Sequence, residues 1–222
     1  MSTTADYALI GAIPPPRFSA AWRAAHAFDF LLGGTTFIAG TALLLPALAA
    51  APGAALASAV VYTLGSLGFL AVDLQELASY SRADEAVLRA NIFFSATGSL
   101  LYVVGSVGYV PSIAAASPQL GPVGFILGSA AIFVSQCWKL WRIAHEARVA
   151  GWGADALSAA GVEGGACAGA LLFLVGTALA ELPSAQTAAG AAAVLWLWMA
   201  GSLAVTAGGS ALAVRHFLLG LA

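Results

Sequence analysis

The chain reads as an all-α membrane protein of six transmembrane helices, arranged as three tandem helical hairpins with both termini on the inner side. Three observations predict this class. Of the 222 residues, 61% are hydrophobic and only 8% are charged, against about 25% charged in an ordinary soluble domain. The charges leave three long blank stretches. Every basic residue falls on one side of the resulting threading.

No charged residue lies between Asp29 and Asp73 or between Arg89 and Lys139, and Glu181 is the sole charge between Glu163 and Arg215. One span needs about 20 apolar residues, so each stretch holds two spans and a turn. Turn residues divide the stretches: Pro46 with Ala51-Pro52-Gly53, then Pro111, Pro118 and Gly121-Pro122, then Pro183-Ser184. Proline removes a backbone donor, which lipid cannot replace. The spacing predicts spans at roughly 27–46, 57–76, 91–110, 122–142, 165–182 and 189–212.

These spans give five segments: an N-terminal surface segment (1–26), hairpin 1 (27–78), hairpin 2 with inner helix extensions (79–148), an inner loop (149–163) and hairpin 3 (164–222). Residues 1–16 are polar and then proline-rich, without a basic stretch leading into an apolar one, so the segment is expected to be retained rather than cleaved as a signal peptide. Ser81 with Asp84 resembles a capping box and Glu85–Arg89 is a favourable i,i+4 pair, which starts the third helix near residue 82.

Arg17, Arg23, Arg82, Arg89, Lys139, Arg142, Arg148 and Arg215 all map to the side holding both termini. Basic residues in short flanking loops stay on the cytoplasmic face or its organellar equivalent. Trp138, Trp141 and Trp152 are placed as inner-interface anchors, whereas Trp196 and Trp198 belong to the outer half of the last span.

One pattern recurs in all six spans: an aromatic residue, two others, then glycine and a hydroxyl residue. It reads Phe37…Gly40-Thr41, Tyr62…Gly65-Ser66, Tyr102…Gly105-Ser106, Phe125…Gly128-Ser129, Phe173…Gly176-Thr177 and Trp198…Gly201-Ser202. The odd spans add Gly33, Gly98 and Gly169, each seven residues earlier and so on the same helix face. Within the three hairpins the motif glycines are 25, 23 and 25 residues apart, as tandem duplication predicts. Lipid supplies no hydrophobic drive for helices to associate, so small residues and hydroxyls must hold them together. A layer of tight contacts is expected in the outer half of the bilayer, with the aromatics filling gaps beside it; the alternative use of that layer is to line a ligand cavity.

The first hairpin, with Asp29-Phe30-Leu31-Leu32-Gly33, Phe37…Gly40-Thr41 and Gly65-Ser66-Leu67-Gly68-Phe69-Leu70, resembles the YrhK-like domain family, a two-helix membrane module. The resemblance is best over residues 25–78 and next best over 90–142. It implies a hairpin building block and no activity.

Polar residues at membrane depth are the usual pointers to function. Asp29 opens span 1, where the helix dipole would stabilise it. Asp73 and Glu76 close span 2, where the dipole disfavours them, so they should pair with Arg23 or Arg89 or face water. With Asp29 they form an expected inner-surface acidic cluster. His26, His145 and His216 are the candidate cofactor ligands, but no two share a ligand-like spacing, and neither a cofactor nor a metal is indicated by motif. Asn91 and Gln136 are placed to hydrogen-bond across helices. Glu181 should be solvated at a span end. Cys137 and Cys167 lack ligand spacing and read as small apolar residues.

No nucleophile elbow, phosphate-cradling loop or histidine pair at helical spacing is present, so the chain is not expected to be an enzyme. The expected partners are the lipid bilayer and other membrane subunits, with no nucleic acid. The first functional expectation is a non-catalytic scaffold or accessory subunit packed through small-residue faces. Its alternatives are a transporter or channel for a small solute, and a pigment- or quinone-binding protein. Which membrane holds it, bacterial or organellar, is not encoded. The charge asymmetry makes one firm prediction: green fluorescent protein fused to the C-terminus will fluoresce in a bacterial host and alkaline phosphatase there will be inactive. The opposite pair of results would invert the topology.

Overall fold

A computed structural model describes residues 19–80 and 86–221. The N-terminal segment up to residue 18, with Arg17, lies outside the described residues. So do Arg82, the Ser81–Asp84 box and the Glu85 side of the Glu85–Arg89 pair.

Among the described residues there is no strand and there are six long helices: α1 (Ala20–Leu43), α3 (Ala54–Ser79), α4 (Ala86–Gly108), α6 (Leu120–Ala150), α7 (Ala154–Ala180) and α8 (Ala188–Ala213). Two short helices, α2 (Pro46–Ala49) and α5 (Pro111–Ala116), interrupt them. Each helix end has a local cause. Ser19 caps α1 by accepting from the Trp22 amide at 3.0 Å, and Thr187 caps α8 by accepting from Gly190 at 3.1 Å. Pro46 and Pro111 occupy the first positions of α2 and α5, and Pro183 opens a 3₁₀ turn before α8. Gly53 and Gly151 take φ of 82° and 91°, which lets the chain turn before α3 and after α6.

Five helices are long and apolar enough to cross a membrane: α3, α4, α6, α7, and α8 with its continuation to Leu218. They make the chain a multi-pass membrane protein. The expected count was six. Helix α1 is long enough, but it carries Arg23, His26 and Asp29 and is not among these five. Its His26 is buried against other helices, so the polar side chain does not face lipid.

The inner loop expected at 149–163 is corrected. Helix α6 runs to Ala150 and α7 starts at Ala154, leaving only residues 151–153 between them. Small residues with few turn signals (Ala156, Ala159, Ala160) let the helix begin well before the apolar stretch.

The helices close a ring. Helix α1 packs on α3, α3 on α4, α4 on α6, α6 on α7, α7 on α8, and α8 returns to α1. The connections rich in proline gather at one end, here the proline end; the other is the charged end.

The ring is held by reciprocal insertion of aromatics into glycine notches. A Cβ added at Gly40 would come within 2.9 Å of the Tyr62 ring, and one at Gly65 within 2.6 Å of Phe37. The same exchange joins Gly105 with Phe125 (2.6 Å) and Gly128 with Tyr102 (2.8 Å), and then Gly176 with Trp198 (2.8 Å) and Gly201 with Phe173 (3.4 Å). The second glycines also serve one purpose. Gly33, Gly98 and Gly169 receive Phe69, Ile132 and Val205, which each stand four residues after an even-span motif glycine.

The motif hydroxyls Thr41, Ser66, Ser106, Ser129, Thr177 and Ser202 are all fully buried. Thr41 bonds Tyr62, Ser129 bonds Tyr102 at 2.9 Å, and Ser66 bonds Ser106 at 3.0 Å between helix pairs. Elsewhere Asn91 and Ser135 exchange bonds between α4 and α6.

Helices α4 and α6 touch almost backbone to backbone. A methyl at Gly124 would sit 2.7 Å from the Gly105 backbone, whereas one at Gly164 meets nothing within 4 Å. Gly124→Ala should therefore destabilise the fold by about 1–3 kcal/mol through overpacking. Thermal unfolding in mild detergent should show a lowered Tm for it and none for Gly164→Ala.

Candidate functional site

The charged end of the ring is hollow. A cavity of about 1020 Å³ runs from Gly151 and Gly153 on the α6–α7 connection down to Tyr102 and Phe173. All six long helices contribute to its wall.

Below it lies a layer built from the motif aromatics. Phe37 is fully buried and lies 4.7 Å from Tyr62, 5.9 Å from Tyr102, 6.2 Å from Phe125 and 5.2 Å from Phe173, centroid to centroid. Trp198 packs against the same cluster. On the proline side of this layer is a second, apolar pocket of about 190 Å³, lined by Tyr62, Tyr109, Phe125, Phe173 and Trp198 among others. Phe173 borders both cavities.

The large cavity carries the charges. Lys139, on α6 and only 7% exposed, places Nζ 3.2 Å from Glu76 Oε2 of α3 and 3.5 Å from Glu163 Oε1 of α7. Asp73, one turn from Glu76 and 6% exposed, accepts a hydrogen bond from Ser99 of α4. The Oε1 of Glu76 faces His26 Nε2 at 3.5 Å. His26 Nδ1 in turn meets His216 Nε2 at 3.1 Å, and both imidazoles are buried. Trp22 stacks on His26 with centroids 4.5 Å apart. Gln136 also lines the cavity, with its Oε1 buried and unbonded.

Removing charges from water is expensive unless they are paired. One ammonium cannot neutralise Asp73, Glu76 and Glu163 together. Nearer the rim the charges do balance: Arg215 with Asp155 at 2.6 Å, and Arg142 with Glu146 at 3.7 Å.

Several sequence expectations are revised here. Asp73 and Glu76 do not pair with Arg23 or Arg89; Glu76 takes Lys139 and Asp73 takes Ser99, because their helix face turns into the ring. Asp29 does not open its helix. It lies nine residues after the start of α1 and accepts at 2.6 Å from Nε2 of Gln75, the residue before Glu76. His26, Asp73, Lys139 and His216 are all buried.

Of the three histidines, His26 and His216 come together across α1 and the turn after α8, though 190 residues apart; His145 stays exposed, stacked on Trp141. Glu181 is exposed. Cys137 and Cys167 are free thiols with their sulfurs 3.7 Å apart across α6 and α7, a proximity that spacing could not reveal. Among the described residues no three His, Cys, Asp or Glu converge as metal ligands.

From the sequence, Lys139 is an inner-side basic residue at the end of a blank stretch and Glu163 only the end of one. The available signal was local: Gln136 and Lys139, three apart on one helix, share a face, as Asp73 and Glu76 do.

Comparison with protein-family models, curated proteins and solved structures gives no match.

Lys139→Met should strand two carboxylates and destabilise the protein by about 3–5 kcal/mol, the range for breaking a buried pair. Adding Glu76→Gln and Glu163→Gln should recover much of the loss. Unfolding curves of the three proteins in one detergent check this, and no recovery would mean that the ions are not coupled.

Proposed function

We propose that the chain is a transporter or channel for a small polar solute, in which all six long helices span the membrane as three copies of one hairpin. Both termini then lie on the inner side, so the large cavity opens inward and the apolar pocket outward. The observation that carries this reading is the pair of cavities meeting at one side chain, Phe173, on the axis of a closed helix ring. A wall of paired charges beneath lipid depth is what solute pathways retain despite its desolvation cost.

The same aromatic layer blocks the path in this state. Its rings fill the axis edge to face, and Phe173 is 1% exposed. Conduction therefore requires the layer to part.

A non-catalytic accessory subunit accounts for the glycine packing, but it gives no role to Lys139, Glu76 and Glu163. The YrhK-like resemblance supports the hairpin as the repeated unit.

Purified protein in liposomes tests the path. Stopped-flow swelling in urea or glycerol should be severalfold faster for Phe173→Ala than for the wild type, and no faster for Phe173→Trp. Swelling equal to that of empty liposomes in every variant would defeat the conducting reading.

A further inference from the structure

The contacts of His26, His216 and Glu76 contain more acceptors than protons. The carbonyl of Leu221 only accepts, so His216 Nδ1, 3.0 Å away, must donate to it. One proton must also lie between His216 Nε2 and His26 Nδ1. If both rings are neutral, their two protons are now used. His26 Nε2 is then a bare lone pair, buried and without a hydrogen bond, aimed at a carboxylate oxygen 3.5 Å away. Two acceptors face each other. A third proton resolves the conflict, and the count is the same wherever it resides along the chain.

We propose that His26 and Glu76 hold one removable proton between them and that this proton is the coupling ion of the transport path. In the loaded state the proton sits on His26 Nε2 as imidazolium against carboxylate, or on Glu76 Oε1 as a carboxylic acid against neutral imidazole. On unloading it leaves to the cavity, and the trio of His216, His26 and Glu76 goes from net neutral to one negative charge.

Two further observations agree. Trp22 lies face to face on His26, an arrangement that favours a cationic ring. The groups around the pair also leave negative charge in excess. From α1 come Arg23, bonded to the His216 carbonyl, and Asp29, bonded to Gln75. From α3 comes Asp73, from α6 Lys139 and Arg142, and from α7 Glu163 and Asp155. Arg215 adjoins His216 and pairs with Asp155. With Arg215 paired at the rim, Asp73, Glu76 and Glu163 share Lys139, and Arg142 adds its charge near Glu163.

The pair also has a mechanical position. His26 belongs to α1, Glu76 to α3, and His216 to the turn after α8, so the proton sits where the first and last helices of the ring join. Losing it sets two acceptors against each other at that seam, which favours separating the helices.

This inference rests on the conducting reading, and two measurements keep their failures apart. The first needs no transport. Nitrogen NMR of histidine-labelled wild-type protein in nanodiscs, assigned with His145→Gln, should show His26 Nε2 exchanging one proton with Glu76 as pH is raised, and acid–base titration should count one proton more than in His26→Gln. In Glu76→Gln the amide can donate to Nε2, so the extra proton should disappear. If Glu76→Gln fails to fold, His26→Gln, whose amide donates to Glu76 with no proton to share, asks the same question. Equal proton counts in wild type and variants would overturn the proposal while leaving the path untouched. The second uses liposomes containing a pH dye under a potassium diffusion potential. Wild-type protein should move protons and Glu76→Gln should lose at least nine-tenths of that flux; unchanged flux would overturn the coupling role.

Discussion

Helices in lipid gain nothing by hiding apolar surface from one another, so something other than hydrophobicity must hold this ring closed. Here it is the exchange of an aromatic side chain for a missing one. Phe37 enters the space left at Gly65 while Tyr62 enters the space left at Gly40, and the other two helix pairs repeat the trade. The consequence reaches past the pairs. Because every aromatic is set at the same level and turned inward, the packing motif also builds the layer that separates the two cavities.

The charged end follows from the same geometry. Aromatics fill the ring at one level, but toward the charged end the inward positions become smaller: Ala166, Ala170, Ser95, Ser99. Space opens, and Asp73, Glu76, Lys139 and Glu163 line it rather than lipid. Lys139 reaches Glu76 and Glu163 across three helices, which ties α3, α6 and α7 together where no aromatic does.

The sequence showed most of this frame and little of the site. Spans, turns and the glycine motif were legible because each is a local pattern with a period. The partners of that motif were half legible: spacing placed all six notches at one depth but could not say that Gly40 meets Tyr62. The site failed for a physical reason. Asp29 sits before the blank stretch and looked like a helix start, yet α1 extends back to Ala20 through Ala-rich sequence that carries charges. Likewise, Lys139 marks the end of an apolar run and read as an interface residue, because a sequence cannot tell a charge facing a cavity from one facing water. His26 and His216 share no spacing at all; only ring closure joins them.

The three helix pairs differ in one hydroxyl bond, and the difference falls beside Phe173. Thr41 with Tyr62 and Ser129 with Tyr102 each close a hydroxyl bond beside the aromatic layer. At the third pair the corresponding atoms, Thr177 Oγ1 and Trp198 Nε1, are buried and unbonded. An unmade bond in the interior is costly, so this pair lacks a polar contact that its two counterparts make. It is also the pair that contributes Phe173, the side chain common to both cavities. In the proposed conducting path, this is the pair at which the layer would part.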